Sequence, residues 1–264
     1  MTRRLCKLAG AAERHAFTLV ACAVAVGLKY HYSRASADEL RWILAPTSWL
    51  TSLFTSGGFE FRVGEGYLNR QQSVLVSPAC AGINFLVVAL LSLVLGFAGR
   101  FESFRQKGSW CALSLGLAYV STLLVNAVRI SLSVALAHLA ARATGLTFQS
   151  VHRLLGVVVY LGGLLALCLT IQFWLSSRGR REANRAAPLL ALGCYAGITL
   201  VVPLLGGAAH NPQYWTHAAP VSVMVGVAAA LLFAARGRTW DDGRHAFRSP
   251  EHPERVATEP GSRA

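Results

Sequence analysis

The sequence predicts an all-α integral membrane protein. It should have about six transmembrane helices, an interfacial segment and a small extracytoplasmic hairpin-like loop. Three observations carry this. Of 264 residues, 54% are hydrophobic and only 14% are charged, whereas a soluble domain carries about a quarter charged residues. The charges gather at the ends of long neutral runs, which marks spans of roughly 20 residues. No run has an Asp or Glu in its interior. Backbone polar groups must be paired inside lipid, so each run should be a helix.

The first span covers about 16–32. With its basic start and Ala35-Ser36-Ala37 it is similar to a signal peptide, and Leu19-Val20-Ala21-Cys22 is similar to a lipoprotein box. The apolar stretch before Cys22 is too short for that box, and retention of the segment is the favoured reading. Trp42 to Leu50 is too short to cross, and its two tryptophans and Pro46 suit a segment lying in the interface. Phe59, Phe61 and Val63 then alternate with Glu60 and Arg62, the period of a strand. Ser73-Val74-Leu75-Val76 is its expected partner in a hairpin. Pro78 breaks that strand, and Gly82 permits unusual backbone angles.

Span two runs over about 82–98. If Cys80 is already helical, Asn84 shares its face. Span three, about 110–138, lies in an apolar run from Trp110 to Ala140. As one helix it reaches ~46 Å, beyond a ~30 Å hydrocarbon core. It should emerge near Asn126-Ala127-Val128-Arg129-Ile130, with Asn126 and Arg129 on one face. Residues 142–149 are expected to form a loop. Span four, about 153–175, follows His152, which shares a helical face with Gly156 and Tyr160. Spans five and six, about 188–208 and 217–235, flank a loop from His210 to His217. Residues 1–235 thus form one polytopic domain. The tail, 236–264, is polar enough to be disordered.

Orientation follows from Lys and Arg. Arg3, Arg4, Lys7 and Arg14 precede span one, and Arg100, Arg105 and Lys107 follow span two. Arg178, Arg180, Arg181 and Arg185 follow span four, and Arg236 and Arg238 follow span six. With both termini cytoplasmic, all four clusters lie inside. The net charge of +13 is then mostly topology. Nucleic acid is not an expected partner, because the basic residues are scattered and no aromatic reader lies among them. Lys29, Arg34, Arg41, Arg62 and Arg70 fall outside, diluted by Asp38, Glu39, Glu60 and Glu65.

Cysteine usage isolates one thiol. Cys22, Cys111, Cys168 and Cys194 lie within spans, and Cys6 lies inside. Only Cys80 is expected at the outer face, without a disulfide partner there. Arg129 and His152 reach the same depth from two other helix ends. Taken singly, Cys80 reads as a small hydrophobe in a turn, Arg129 as a lipid-phosphate anchor and His152 as an interfacial cap. Together they make a chemical unit. Cys80 is the candidate nucleophile, and a thiolate is favoured beside a cation or a helix N-terminus. His152 is the candidate general acid and base. Arg129 is the candidate oxyanion stabiliser, with a fixed fork of donors. No metal or other cofactor is needed for this chemistry.

Pro78-Ala79-Cys80-Ala81-Gly82, Asn126-Ala127-Val128-Arg129-Ile130 and His152 with Gly156 resemble the three signature blocks of the exosortase/archaeosortase family. The likeness covers about residues 75–175, and the short N-terminal part resembles the exosortase K type of subgroup. The resemblance implies a multi-pass enzyme of a prokaryotic cytoplasmic membrane. Such enzymes act on target proteins whose C-terminal sorting signal is a short motif, a transmembrane helix and a basic tail. They cleave near the motif through a thioacyl intermediate and transfer the target to an acceptor. It further implies Cys80 as nucleophile and Arg129 and His152 as its catalytic partners; Asn84 and Asn126, from their helix-face spacing to Cys80 and Arg129, are the candidate supporting residues. Many family members have Ser where this chain has Ala81.

Other classes fit less well. A small-solute transporter would be expected to carry a coupling carboxylate within a span. A haem protein needs two histidines at one depth, for which His138, His152, His210 and His217 are the candidates. A non-catalytic structural membrane protein is the plainest alternative.

Overall fold

In a computed structural model, the described residues are 2–144, 148–177 and 186–246, with side chains described over 16–136, 152–177 and 186–235. The chain is mostly helical, with one small sheet. Helix α1 (Thr2–Arg34) leads into α2 (Arg41–Ser52), then strands β1 (Glu60–Arg62), β2 (Gly66–Asn69) and β3 (Val74–Val76). Next come α3 (Ile83–Phe97), α4 (Phe104–Thr144), α5 (Phe148–Ser177), α6 (Ala187–Ala196), α7 (Val202–Leu205) and α8 (Pro212–Ala246). Among the described residues, five segments are long and apolar enough to cross a membrane: 78–100, 104–136, 152–177, 187–205 and 212–235.

Helix α3 is the centre of the bundle. In its most apolar window 72% of residues are buried, against 17–33% for the other four segments. Its sequence Ile83 to Phe97 has almost no polar position, as a helix enclosed on all sides requires. Phe85, Val88 and Ala89 pack with Leu161, Leu164 and Cys168 of α5 and Ala191 and Leu192 of α6. Helices α4 and α5 approach closely where Gly163 meets Val125. A Cβ on Gly163 would lie 2.7 Å from Val125 Cγ2.

Helix α4 is one continuous rod of 41 residues, about 60 Å long. Its buried seam is largely polar, through Ser114, Thr122, Asn126, Arg129 and Ser133, with Ala118 between the first two. Helix α2 packs against α4. Ile43, Leu44, Thr47, Ser48 and Thr51 are buried while Trp49 is 64% exposed. It is tied to α4 by Tyr119, whose hydroxyl donates to the Trp42 carbonyl at 2.6 Å.

The strand expected at Phe59–Val63 is present, but its partner differs. β1 pairs with β2 (Phe61 with Tyr67), and β2 pairs with β3 (Leu68 with Leu75), giving the antiparallel order β1-β2-β3. Residues 66–69 escaped notice because Gly66 and Asn69 interrupt their apolar pattern. Gly66 is required there: its φ is +126°, and a Cβ would collide with the Val76 carbonyl. Buried Asn69 ties the strands down, donating to the Ser56 and Gly57 carbonyls at 3.0 and 3.2 Å. The sheet also grips the turn before α2, where the Gly64 N–H donates to Asp38 Oδ2 at 3.0 Å.

Three further boundaries shift. The loop expected at 142–149 is narrower, because α4 runs to Thr144 and α5 begins at Phe148. Residues 145–147 lie outside the described residues. The tail expected to start at 236 is helical to Ala246, and 247–264 lie outside the described residues. The span at 188–208 is not uniform: a π-helical turn, Gly197–Val201, separates α6 from α7. Arg178, Arg180, Arg181 and Arg185 lie outside the described residues, as do the side chains of Cys6, His138, Arg236 and Arg238.

Candidate active site

Cys80 closes a single 3-10 turn, Pro78–Cys80, between β3 and α3. Pro78 fits the first turn position, where a missing N–H costs nothing. Gly82 then takes φ 72°, ψ 15° and α3 starts at Ile83. Cys80 and Asn84 therefore do not share one helix face. Asn84 is held instead from α1: Lys29 Nζ donates to Asn84 Oδ1 at 2.6 Å. Gly82 also lets the turn approach α4, since a Cβ there would sit 3.1 Å from Thr122 Cγ2. That approach brings Asn126 Nδ2 into a hydrogen bond with the Cys80 carbonyl.

From Asn126 a polar chain runs across α4 and α5. The Tyr160 hydroxyl donates to Asn126 Oδ1 at 2.9 Å and accepts from Arg129 Nη1. Arg129 is 8% exposed, and its guanidinium also lies over the Tyr160 ring, 5.0 Å from the centroid. Arg129 Nη2 lies 2.7 Å from His152 Nε2. His152 Nδ1 is 2.9 Å from Ser133 Oγ, whose own proton goes to the Arg129 carbonyl at 2.7 Å.

Donor counting fixes the protons. Arginine has no acceptor, so His152 Nε2 must offer its lone pair to Arg129. Ser133 spends its hydrogen on the Arg129 carbonyl, so Nδ1 must be the donor to Ser133 Oγ. His152 is thus a neutral imidazole carrying its proton on Nδ1. Both ring nitrogens are engaged by protein groups in this arrangement.

Two cavities meet at His152. One, about 210 Å³, is lined by Cys80, β3, Ile130, Ser133, Val134 and His152. The other, about 180 Å³, is lined by Asn84, Arg129, His152, Arg153, Tyr160, Thr199 and His217 among others. The expected trio is thus brought together, as is Asn126, but not as a simple triad. Arg129 grips the nitrogen that a base would use. Cys80 is half-buried, and Cys22, Cys111, Cys168 and Cys194 are likewise unbridged.

Three participants were not singled out from sequence. Ser133 lies four residues after Arg129 and so on the same face. Tyr160 was placed on the His152 face without a role. Lys29 was counted only as a loop charge, because nothing local links it to residue 84. Gly156 is not forced by space, since a Cβ would lie 3.7 Å from Arg129 Cδ. Compared with family models, curated proteins and solved structures, the chain matches none.

Proposed function

We propose that this chain is a membrane-embedded cysteine peptidase or transpeptidase of exosortase type. In this reading it has six spans, α1 included, with both termini in the cytoplasm and the site facing outward across a prokaryotic cytoplasmic membrane. The observation that carries the reading is one cavity lined by both Cys80 and His152, with Arg129 bonded to His152.

The chemistry runs in two steps. His152 takes the Cys80 proton, and the thiolate attacks the scissile carbonyl of a target protein. Arg129 faces the developing oxyanion. The carbon–nitrogen bond breaks, and His152 returns its proton to the leaving amine. The thioacyl intermediate is then attacked by an acceptor, whose proton passes to His152 as the carbon–sulfur bond breaks and the thiolate leaves. For this, Arg129 must first let go of His152 Nε2, so the arrangement described above is a resting one. Arg129 turning from His152 to substrate would couple oxyanion binding to release of the base.

The test is a co-expressed reporter ending in a short motif, an apolar helix and an Arg-rich tail. Cys80→Ala should abolish its processing while the protein remains inserted. Arg129→Ala should lose about 100- to 1,000-fold in rate, and His152→Ala should fall comparably, whereas Cys111→Ala should process normally. Normal processing by both Cys80→Ala and Cys80→Ser would show that the nucleophile lies elsewhere. A membrane-impermeant thiol reagent should label Cys80 in intact spheroplasts.

A further inference from the structure

The second cavity holds several donors and no carboxylate. Arg129 comes from α4, His152 and Arg153 from α5, His217 from α8, Asn84 from α3 and Thr199 from the π turn. Phe85 and Val157 supply apolar wall. A cation buried in an apolar setting is costly unless an anion joins it. Arg129 shows that need directly: it is 8% exposed, and its Nε is buried with no hydrogen-bond partner among the described residues.

The backbone adds an independent sign. Thr199 lies in the π turn Gly197–Val201, and single π turns inside helices concentrate at functional sites. The turn is held in place from α8, where the Tyr214 hydroxyl donates to the Leu200 carbonyl at 3.0 Å.

We propose that this cavity is a binding site for a phosphate group, and that the bound phosphate competes with His152 for the Arg129 guanidinium. Donors converging from five elements suit a tetrahedral oxoanion better than a planar carboxylate, and guanidinium groups recognise phosphate with paired donors. The volume of about 180 Å³ accepts a phosphate with little else. Once Arg129 turns to the oxoanion, His152 Nε2 regains its lone pair. The binding claim stands independently of Cys80 chemistry.

The experiment uses the full chain in an uncharged detergent, titrated with inorganic phosphate and separately with short-chain phosphatidylglycerol. Saturable binding is read by calorimetry, and His152 by its ring nitrogen resonances. Wild type should bind at least one of the two, and the Nε2 resonance should move on saturation. Arg153→Gln with His217→Gln should weaken binding about tenfold or more. Thr199→Val should weaken it less, and serves if the double variant does not fold. Binding of inorganic phosphate points to a free phosphate; binding of the lipid alone points to a headgroup. No saturable binding of either, or equal binding by the double variant, overturns the site. Acetate binding as tightly as phosphate overturns the ligand class. Phosphate binding with an unmoved Nε2 resonance overturns the competition.

Discussion

Tyr160→Phe probes the polar chain with the least disturbance. The ring stays, so its packing against Phe85, 5.3 Å between centroids, is kept. Only the hydroxyl is lost, and with it two hydrogen bonds. One is the 2.9 Å bond to Asn126 Oδ1. Such interhelical bonds average about 0.6 kcal/mol within membranes. The other is the charge-assisted bond from Arg129, a type worth about 1.5–3 kcal/mol. The expected loss is therefore about 2–3.5 kcal/mol in reversible unfolding from mixed micelles. A double-mutant cycle with Asn126→Ala should show coupling of about 0.5 kcal/mol or more, since the two residues share one bond. Processing of the reporter should fall as well, because the guanidinium, no longer anchored at Nη1 by the Tyr160 hydroxyl, is less well placed to meet the developing oxyanion. The reasoning fails if Tyr160→Phe unfolds within about 0.5 kcal/mol of wild type.

Two other outcomes follow from the loop side of the site. Gly82→Ala forces a side chain into φ 72° and within 3.1 Å of Thr122. It should cost about 1–2 kcal/mol in backbone strain alone, and should change the alkylation rate of Cys80 by shifting its turn off Asn126. Glu39 accepts from the Ser36 N–H at 2.8 Å and the Ser36 hydroxyl at 3.0 Å, which holds its carboxyl below the ordinary 4.5. A depressed carboxyl contributes stability above its unfolded value, and loses it as pH falls through the folded one. Ser36→Ala should move the Glu39 carboxyl upward in a carbon-13 titration, and an unmoved titration would dismiss the cap.

Most of the architecture was legible because lipid allows few solutions. Apolar runs long enough to cross a membrane must pair their own backbone groups, so length and hydropathy alone marked the segments that became α3, α4 and α5, and the run containing α6 and α7. Strand period likewise exposed β1. It could not expose β2, whose Gly66 and Asn69 are chosen for backbone approach and for carbonyl capping rather than for alternation. The π turn at Gly197–Val201 has no period of its own and was invisible.

The site shows the same division. The sequence alone determined that Cys80, Arg129 and His152 approach one end of a helical bundle, because each lies at the edge of an apolar run. Local spacing also put Asn126 with Arg129, and Tyr160 with His152. Only the tertiary structure decided which atoms meet. Lys29 reaches Asn84 across 55 positions, and Arg129 reaches His152 across 23. Helix period orders residues on one helix but is silent on the rotation of its neighbours. That rotation is set by packing, as where Gly163 admits Val125. It aims Arg129 at His152 Nε2, and so gives the expected trio a bonded Arg129–His152 pair in place of an open triad.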